Sequence, residues 1–136
     1  MHKLVMAIGQ ASLCFASLSG AAAFAAEIRC EIKVSGTENA VQAAQSADPY
    51  EYKTLDLDGG YRFSMQYLAS GNKLKTYVYH ESKQRYVLIH LGEHVINADI
   101  CEGRSQGLGV NRIYSPKLER ELIFQCAPVC GKKDTK

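Results

Sequence analysis

The 136-residue chain predicts an all-β domain, mainly an antiparallel meander that forms a small barrel or sandwich of about seven to eight strands. Three observations carry this expectation. From Ile28 to Val34 apolar and polar residues alternate with the strand period of two. Beyond Tyr50, β-branched and aromatic runs are broken by turn residues about every 8–12 positions. Four of the five cysteines, Cys30, Cys101, Cys126 and Cys130, are distributed from the first run to the last, and the fifth, Cys14, lies in the apolar N-terminal segment, as in small exported domains framed by disulfides.

Residues 1–25 read as a secretory signal. Lys3 supplies the positive start, residues 4–18 are mostly apolar, and Ala23-Phe24-Ala25 is an A-x-A cleavage site. Cleavage would leave a single β domain over 26–130 and a polar tail, 131–136, expected to be disordered. The destination is the periplasm or the exterior.

The first mature strand places Ile28, Cys30, Ile32 and Val34 on one face and Arg29, Glu31 and Lys33 on the other. The next stretch reads differently. Ser35 and Thr37 are candidate N-caps, Ala40, Val41, Ala43, Ala44 and Ala47 can form an apolar stripe, and Asp48-Pro49 is a stop. This predicts one short helix near 37–47. Strands are then expected near 50–57, 61–69, 73–80, 85–91 and 94–101. Two more follow near 108–114 and 118–126, around Ser115-Pro116-Lys117.

Turn chemistry suggests a register for the meander. Gly71-Asn72 and Gly92-Glu93 suit two-residue hairpins with glycine first, and an even loop spans Glu81 to Gln84. These turns set Tyr67 against Thr76, Met65 against Val78, Val78 against Val87, and Ile89 against Ile96. One face then carries Tyr61, Phe63, Met65, Tyr67, Ala69, Leu74, Thr76, Val78, Val87, Ile89, Leu91, Ile96, Ala98 and Ile100 as the core. A one-residue slip would spoil that agreement. A barrel is favoured over a sandwich, because closure removes exposed edges.

The other face gathers the functional candidates. Tyr77, Tyr79, Tyr86 and Leu88 cluster there, with Lys73 and Lys75 as rim charges. Tyrosines with a basic rim suit a protein-binding surface. The competing role for this patch is as the seat of the 37–47 helix, whose alanine face needs somewhere to pack.

The cysteines allow three pairings. Strand parity turns Cys30 and Cys126 inward, which favours Cys30–Cys126 with Cys101–Cys130, the first bridge closing the barrel. Cys126–Cys130 around Ala127-Pro128-Val129 is the rival. Cys-x₃-Cys is not the redox Cys-x-x-Cys, and no zinc-finger spacing occurs. No metal site is expected elsewhere. A two-residue turn at Gly92-Glu93 sends His90 and His94 to opposite faces, and Asp56-Leu57-Asp58-Gly59-Gly60 reads as an Asp-Gly turn rather than a calcium loop.

Composition excludes other classes. The formal charge is +2, which gives no basic footprint for nucleic acid. No mature segment reaches the ~20 apolar residues of a membrane span. Neither a Gly-x-Ser-x-Gly elbow nor a phosphate loop is present, so no catalytic residue and no cofactor is expected.

Ser70-Gly71-Asn72-Lys73 resembles the Ser-Gly-x-Lys/Arg loop of small periplasmic inhibitors of c-type lysozymes. The likeness covers these four residues and brings over no site residue. It implies an exported antiparallel barrel whose loop enters the lysozyme cleft. The reading as a whole is a non-enzymatic exported domain that binds a protein or a cell-envelope component through one sheet face. Two alternatives are a carrier barrel with an apolar ligand lined by Tyr61, Phe63, Met65, Tyr67 and His80, and an enzyme working through His90 or His94.

Overall fold

The computed structural model describes residues 27–97, 100–101, 107–115 and 120–130. The expected signal segment, the polar tail, Ala98 and the Pro116-Lys117 turn lie outside the described residues. Eight strands are described: β1 (Glu27–Val34), β2 (Thr37–Ala44), β3 (Lys53–Leu57), β4 (Tyr61–Leu68), β5 (Lys73–Ser82), β6 (Arg85–Val95), β7 (Val110–Tyr114) and β8 (Glu121–Val129). They form two four-stranded antiparallel sheets, ordered β2-β1-β8-β7 and β3-β4-β5-β6. The all-β expectation therefore holds, as an open sandwich rather than a closed barrel. Among the described residues no helix is long and apolar enough to cross a membrane.

The segment expected to be a helix is β2. Ser35 and Gly36 both adopt left-handed backbone angles, φ 52° and 85°, and form a two-residue hairpin turn. The chain then doubles back in register from Val34 opposite Thr37 to Glu27 opposite Ala44. Period two decides the exposure: Ala43 is buried and Val41 half-buried, while Glu38, Ala40, Gln42 and Ala44 face water. Alanine is compatible with either period, so the Ser-Gly turn was the deciding signal.

The core lies between the sheets. Ile28, Ile32 and Val34 of β1 and Leu122 and Phe124 of β8 meet Tyr61, Phe63, Met65 and Tyr67 of β4 and Leu74 and Val78 of β5. Phe63 and Phe124 join the sheets edge to face at 5.1 Å. Each fully buried large side chain contributes about 1.5–3 kcal/mol. Beyond β2 the chain crosses to the second sheet, where the Ser46 amide donates to the Tyr67 carbonyl and the Ala69 amide to the Ser46 carbonyl, both at 2.8 Å.

Both favoured disulfides are present. Cys30–Cys126 joins directly opposed residues of β1 and β8. It staples the first strand to the last within one sheet and does not close a barrel. Cys101–Cys130 ties the loop after β6 to the end of β8. Two bridges fit an oxidising, extracytoplasmic environment.

The meander departs from expectation at each of its three expected hairpins. Tyr67 faces Leu74, Met65 faces Thr76 and Phe63 faces Val78, a shift of two residues that leaves every side chain on its expected face. At the next hairpin Lys83 and Gln84 take φ 51° and 64°, so Ser82 pairs Arg85 across a two-residue turn. Ile89 is then skipped as a bulge, since Tyr79 pairs Leu88 while Val78 pairs His90. The strand runs on through Gly92-Glu93 without turning, and the Ile96 amide donates to the Asn72 carbonyl at 2.7 Å. Of the described residues in the range 94–101, His94 and Val95 belong to β6 and the rest are not strand. Val87 and Ile89, expected in the core, are 39% and 42% exposed, because β6 is a sheet edge and the first sheet ends on a β7 of only five residues; Leu91, also expected there, is 51% exposed because the bulge turns it to the outer face. Ala69 is exposed as well, in the turn between β4 and β5.

Candidate binding surface

The outer face of the second sheet is built by strand alternation. β4 places Arg62, Ser64, Gln66 and Leu68 there, and β5 places Lys73, Lys75, Tyr77 and Tyr79. From β6 come Tyr86 and Leu88, then Leu91, Glu93 and Val95 once the bulge has passed. The six residues expected from sequence thus share one surface, with altered neighbours. Tyr79 lies opposite Leu88 and Tyr77 opposite Leu91, while Tyr86 lies opposite Glu81.

The rings form a connected row. Tyr77 and Tyr79 stack at 6.4 Å, and Tyr52 leans on Tyr77 at 5.7 Å. The Arg62 guanidinium lies 3.9 Å from the centre of the Tyr86 ring, a cation–π contact, and also pairs with Asp56. That pairing holds the Asp56 carboxyl below its ordinary range. The helix that was to cover this patch is a strand of the other sheet. Leu88, Leu91 and Val95 are consequently 45%, 51% and 64% exposed.

One part of the face is covered, by the segment that leads into β3. The Tyr77 hydroxyl donates to Gln66 Oε1 at 2.9 Å, and Gln66 Nε2 donates to the Pro49 carbonyl at 2.7 Å. Gln66 is therefore buried on what is otherwise an outward face. Burial, reinforced by Tyr52, pushes the Tyr77 phenol up to about 12, so it remains a hydrogen-bond donor well into the alkaline range. Tyr52 and Tyr50 extend the aromatic surface, and sequence reasoning missed both. The signal was the Asp48-Pro49-Tyr50 turn, in which the Tyr50 amide donates to Asp48 Oδ1 at 2.8 Å and turns the Tyr-x-Tyr run back over the sheet.

The lysine rim is less basic than its composition suggests. Glu93 accepts from Lys75 at 3.1 Å and lies 3.8 Å from Lys73. Its carboxyl is held low by the Lys75 hydrogen bond first and by the charge of Lys73 second. Two ammonium groups on one carboxylate leave a single net positive charge. Ser70–Asn72, the residues of the lysozyme-inhibitor likeness, form a 3-10 turn at the end of the β4–β5 hairpin.

The histidines lie elsewhere. His80 packs edge-on against Tyr61 at 5.0 Å and lies 3.2 Å from the Gly59 carbonyl and 3.4 Å from the Ser115 hydroxyl. His90 and His94, expected on opposite faces, share the inner face of β6, because Gly92-Glu93 is strand. Burial lowers the His90 pKa, and His94 adds to the effect. Asp58–Gly60 is the expected tight turn between β3 and β4. No protein-family model, no curated protein and no solved structure matches this chain.

Proposed function

We propose that this chain is a non-catalytic, exported binding domain that works in the periplasm or outside the cell and holds a protein partner through the outer face of the β3–β6 sheet. The observation that carries the reading is the row Tyr52, Tyr77, Tyr79 and Tyr86, continued along the sheet edge by exposed Leu88 and Leu91. Such rings bring large contact area at low entropic cost, and they keep a polar tip for hydrogen bonds. A contiguous apolar patch on a small domain marks an interaction site. A ligand held between the sheets has less support. Tyr61, Phe63, Met65 and Tyr67 are at most 1% exposed and belong to the packed core.

The test is a photo-cross-linking residue at Leu88, compared with one at Gln42 on the outer face of the other sheet. The expected result is a discrete protein adduct from position 88 only, lost when Tyr79→Ala and Tyr86→Ala are added. Equal adducts from both positions, or an adduct indifferent to the tyrosine changes, would refute the reading. Purified c-type lysozyme offered to the same two proteins shows whether the Ser70–Lys73 likeness extends to that partner.

A further inference from the structure

We propose that the hollow over Gly92, on the inner side of β6, is a binding site for a first-row transition-metal ion held by His90 Nε2 and His94 Nε2, with the Thr76 hydroxyl beside it. This site stands apart from the tyrosine face and does not depend on that reading.

Residues 90, 92 and 94 alternate onto one side of the strand, so the two imidazoles flank a residue with no side chain. At about 3.3 Å per residue, His90 and His94 start far apart along β6. Their rings nevertheless lean together. At the point where a Cβ of residue 92 would sit, His90 Nε2 is 3.5 Å away, His94 Nε2 3.7 Å and Thr76 Oγ1 2.6 Å. Any side chain at position 92 would collide with the Thr76 hydroxyl. A glycine inside a strand weakens it and often marks the close approach of something else. Here three polar atoms converge on the space it leaves.

Two of those atoms need a partner. Thr76 Oγ1 and His90 Nε2 are buried without a hydrogen bond, and Thr76 is only 1% exposed. Leaving such groups desolvated and unsatisfied is costly. The His90 ring is braced edge-on by Phe124 at 5.8 Å, so it is presented at a fixed angle. The donor set decides the ligand class. Neutral imidazole nitrogens suit zinc, copper and nickel, whereas magnesium and calcium require oxygen ligands. Glu93, the nearest carboxylate in sequence, faces the opposite side with Lys75. Among the described residues no group of three or more His, Cys, Asp and Glu side chains converges. Solvent would therefore complete the coordination, with Thr76 holding a bound water. The histidines are only half-buried and lie on an edge strand, which gives the ion a way in.

The experiment titrates Cu²⁺, Zn²⁺ and Mg²⁺ into the disulfide-intact chain, with His2→Ala in the background, and follows the imidazole proton resonances. One equivalent of Zn²⁺ should shift the His90 and His94 signals and leave His80 unmoved, Cu²⁺ should bind more tightly and broaden the His90 and His94 signals away at substoichiometric amounts before His80, and Mg²⁺ should do nothing. His90→Ala and His94→Gln should each weaken binding by roughly tenfold or more. Gly92→Ala should fill the hollow and abolish binding. Should that variant fail to fold, the half-exposed His94→Gln decides alone. Unmoved His90 and His94 resonances, or equal uptake by a His90→Ala/His94→Ala double variant, would mean that only water occupies the hollow and would overturn the proposal.

Discussion

On the outer face of β1, β2, β7 and β8, charged side chains meet their partners on their own sheet. Arg29 lies 3.6 Å from Glu31, Lys33 lies 3.3 Å from Glu38, and Arg112 lies 2.8 Å from Glu121, which also accepts from the Tyr114 hydroxyl. The outer face of β3 to β6 has ion pairs as well, Arg62 with Asp56 and Lys73 and Lys75 with Glu93, but they stand beside stacked tyrosines and exposed leucines. Both sheets bury their inner faces in one shared core, so burial does not account for the difference. What separates them is the cost of covering each face. Covering the first means stripping water from paired charges, a cost that mutual attraction seldom recovers. A tyrosine ring gives up water readily and keeps its hydroxyl available. The first face is suited to remain wet, and the second to be occupied.

The sheets differ in the same sense in how the chain builds them. The second is a local meander of consecutive strands, whereas the first pairs β1 with β8 across a sequence separation of 96. Its stability should therefore depend most on the Cys30–Cys126 bridge. Chain-entropy arguments give a loop of that length about 4.7 kcal/mol, against about 3.6 kcal/mol for Cys101–Cys130. Cys30→Ala with Cys126→Ala should lower the unfolding free energy by about 4–5 kcal/mol in chemical denaturation. It should also cost more than removal of the second bridge. Equal losses would mean that the two sheets do not differ in this respect.

The second sheet should instead be sensitive at a turn. Lys83 and Gln84 both hold left-handed backbone angles, where a residue with a Cβ is strained by roughly 1–2 kcal/mol. Lys83→Asn with Gln84→Gly supplies the pair that this turn prefers. Part of the gain is offset by the flexibility that glycine adds to the unfolded chain. A net stabilisation of about 1 kcal/mol is expected from the denaturation midpoint. A loss would show that the strain is relieved elsewhere in the hairpin.

That turn also marks how far the sequence could be read. Every strand except β2 was legible from period two and turn spacing, although β6 was read as two strands parted at Gly92-Glu93, and the inward parity of Cys30 and Cys126 favoured the correct pairing. The helix expected over 37–47 failed because Ala40, Val41 and Ala43 fit either period, and because Ser35 was read as an N-cap rather than as half of a Ser-Gly turn. The hairpin expected at Gly92-Glu93 failed for the opposite reason. A favourable turn dipeptide was read as one more hairpin after the loop over Glu81 to Gln84, whereas the chain turns at Lys83-Gln84 and continues as strand through Gly92-Glu93. That choice decided the faces of everything beyond it. With Ile89 bulged and Gly92 in strand, His90 and His94 come together and Leu91 moves outward. Tyrosine parity survived because the β4–β5 register slipped by two, which preserves faces. The Asp48-Pro49-Tyr50 turn was the sign that the segment leading into β3 folds Tyr52 onto Tyr77, but it was read only as a helix stop.

The smallest effect should come from the charged face. Arg112 and Glu121 are well placed, and the hydrogen bond between them raises the pKa of the guanidinium and lowers that of the carboxylate. The pair is open to solvent, however, where Coulomb attraction is weak and side-chain ordering opposes it. Arg112→Ala should therefore shift the melting temperature less than the turn change does, and about 1 M salt should erase the remaining difference. It should also leave cross-linking from Leu88 untouched. Tyr86→Ala makes the matching comparison on the other sheet. It removes the ring beneath Arg62 while sparing the core, so it should affect stability little and the Leu88 adduct strongly. If Arg112→Ala weakened that adduct as much as Tyr86→Ala, the two faces would not be divided between water and a partner.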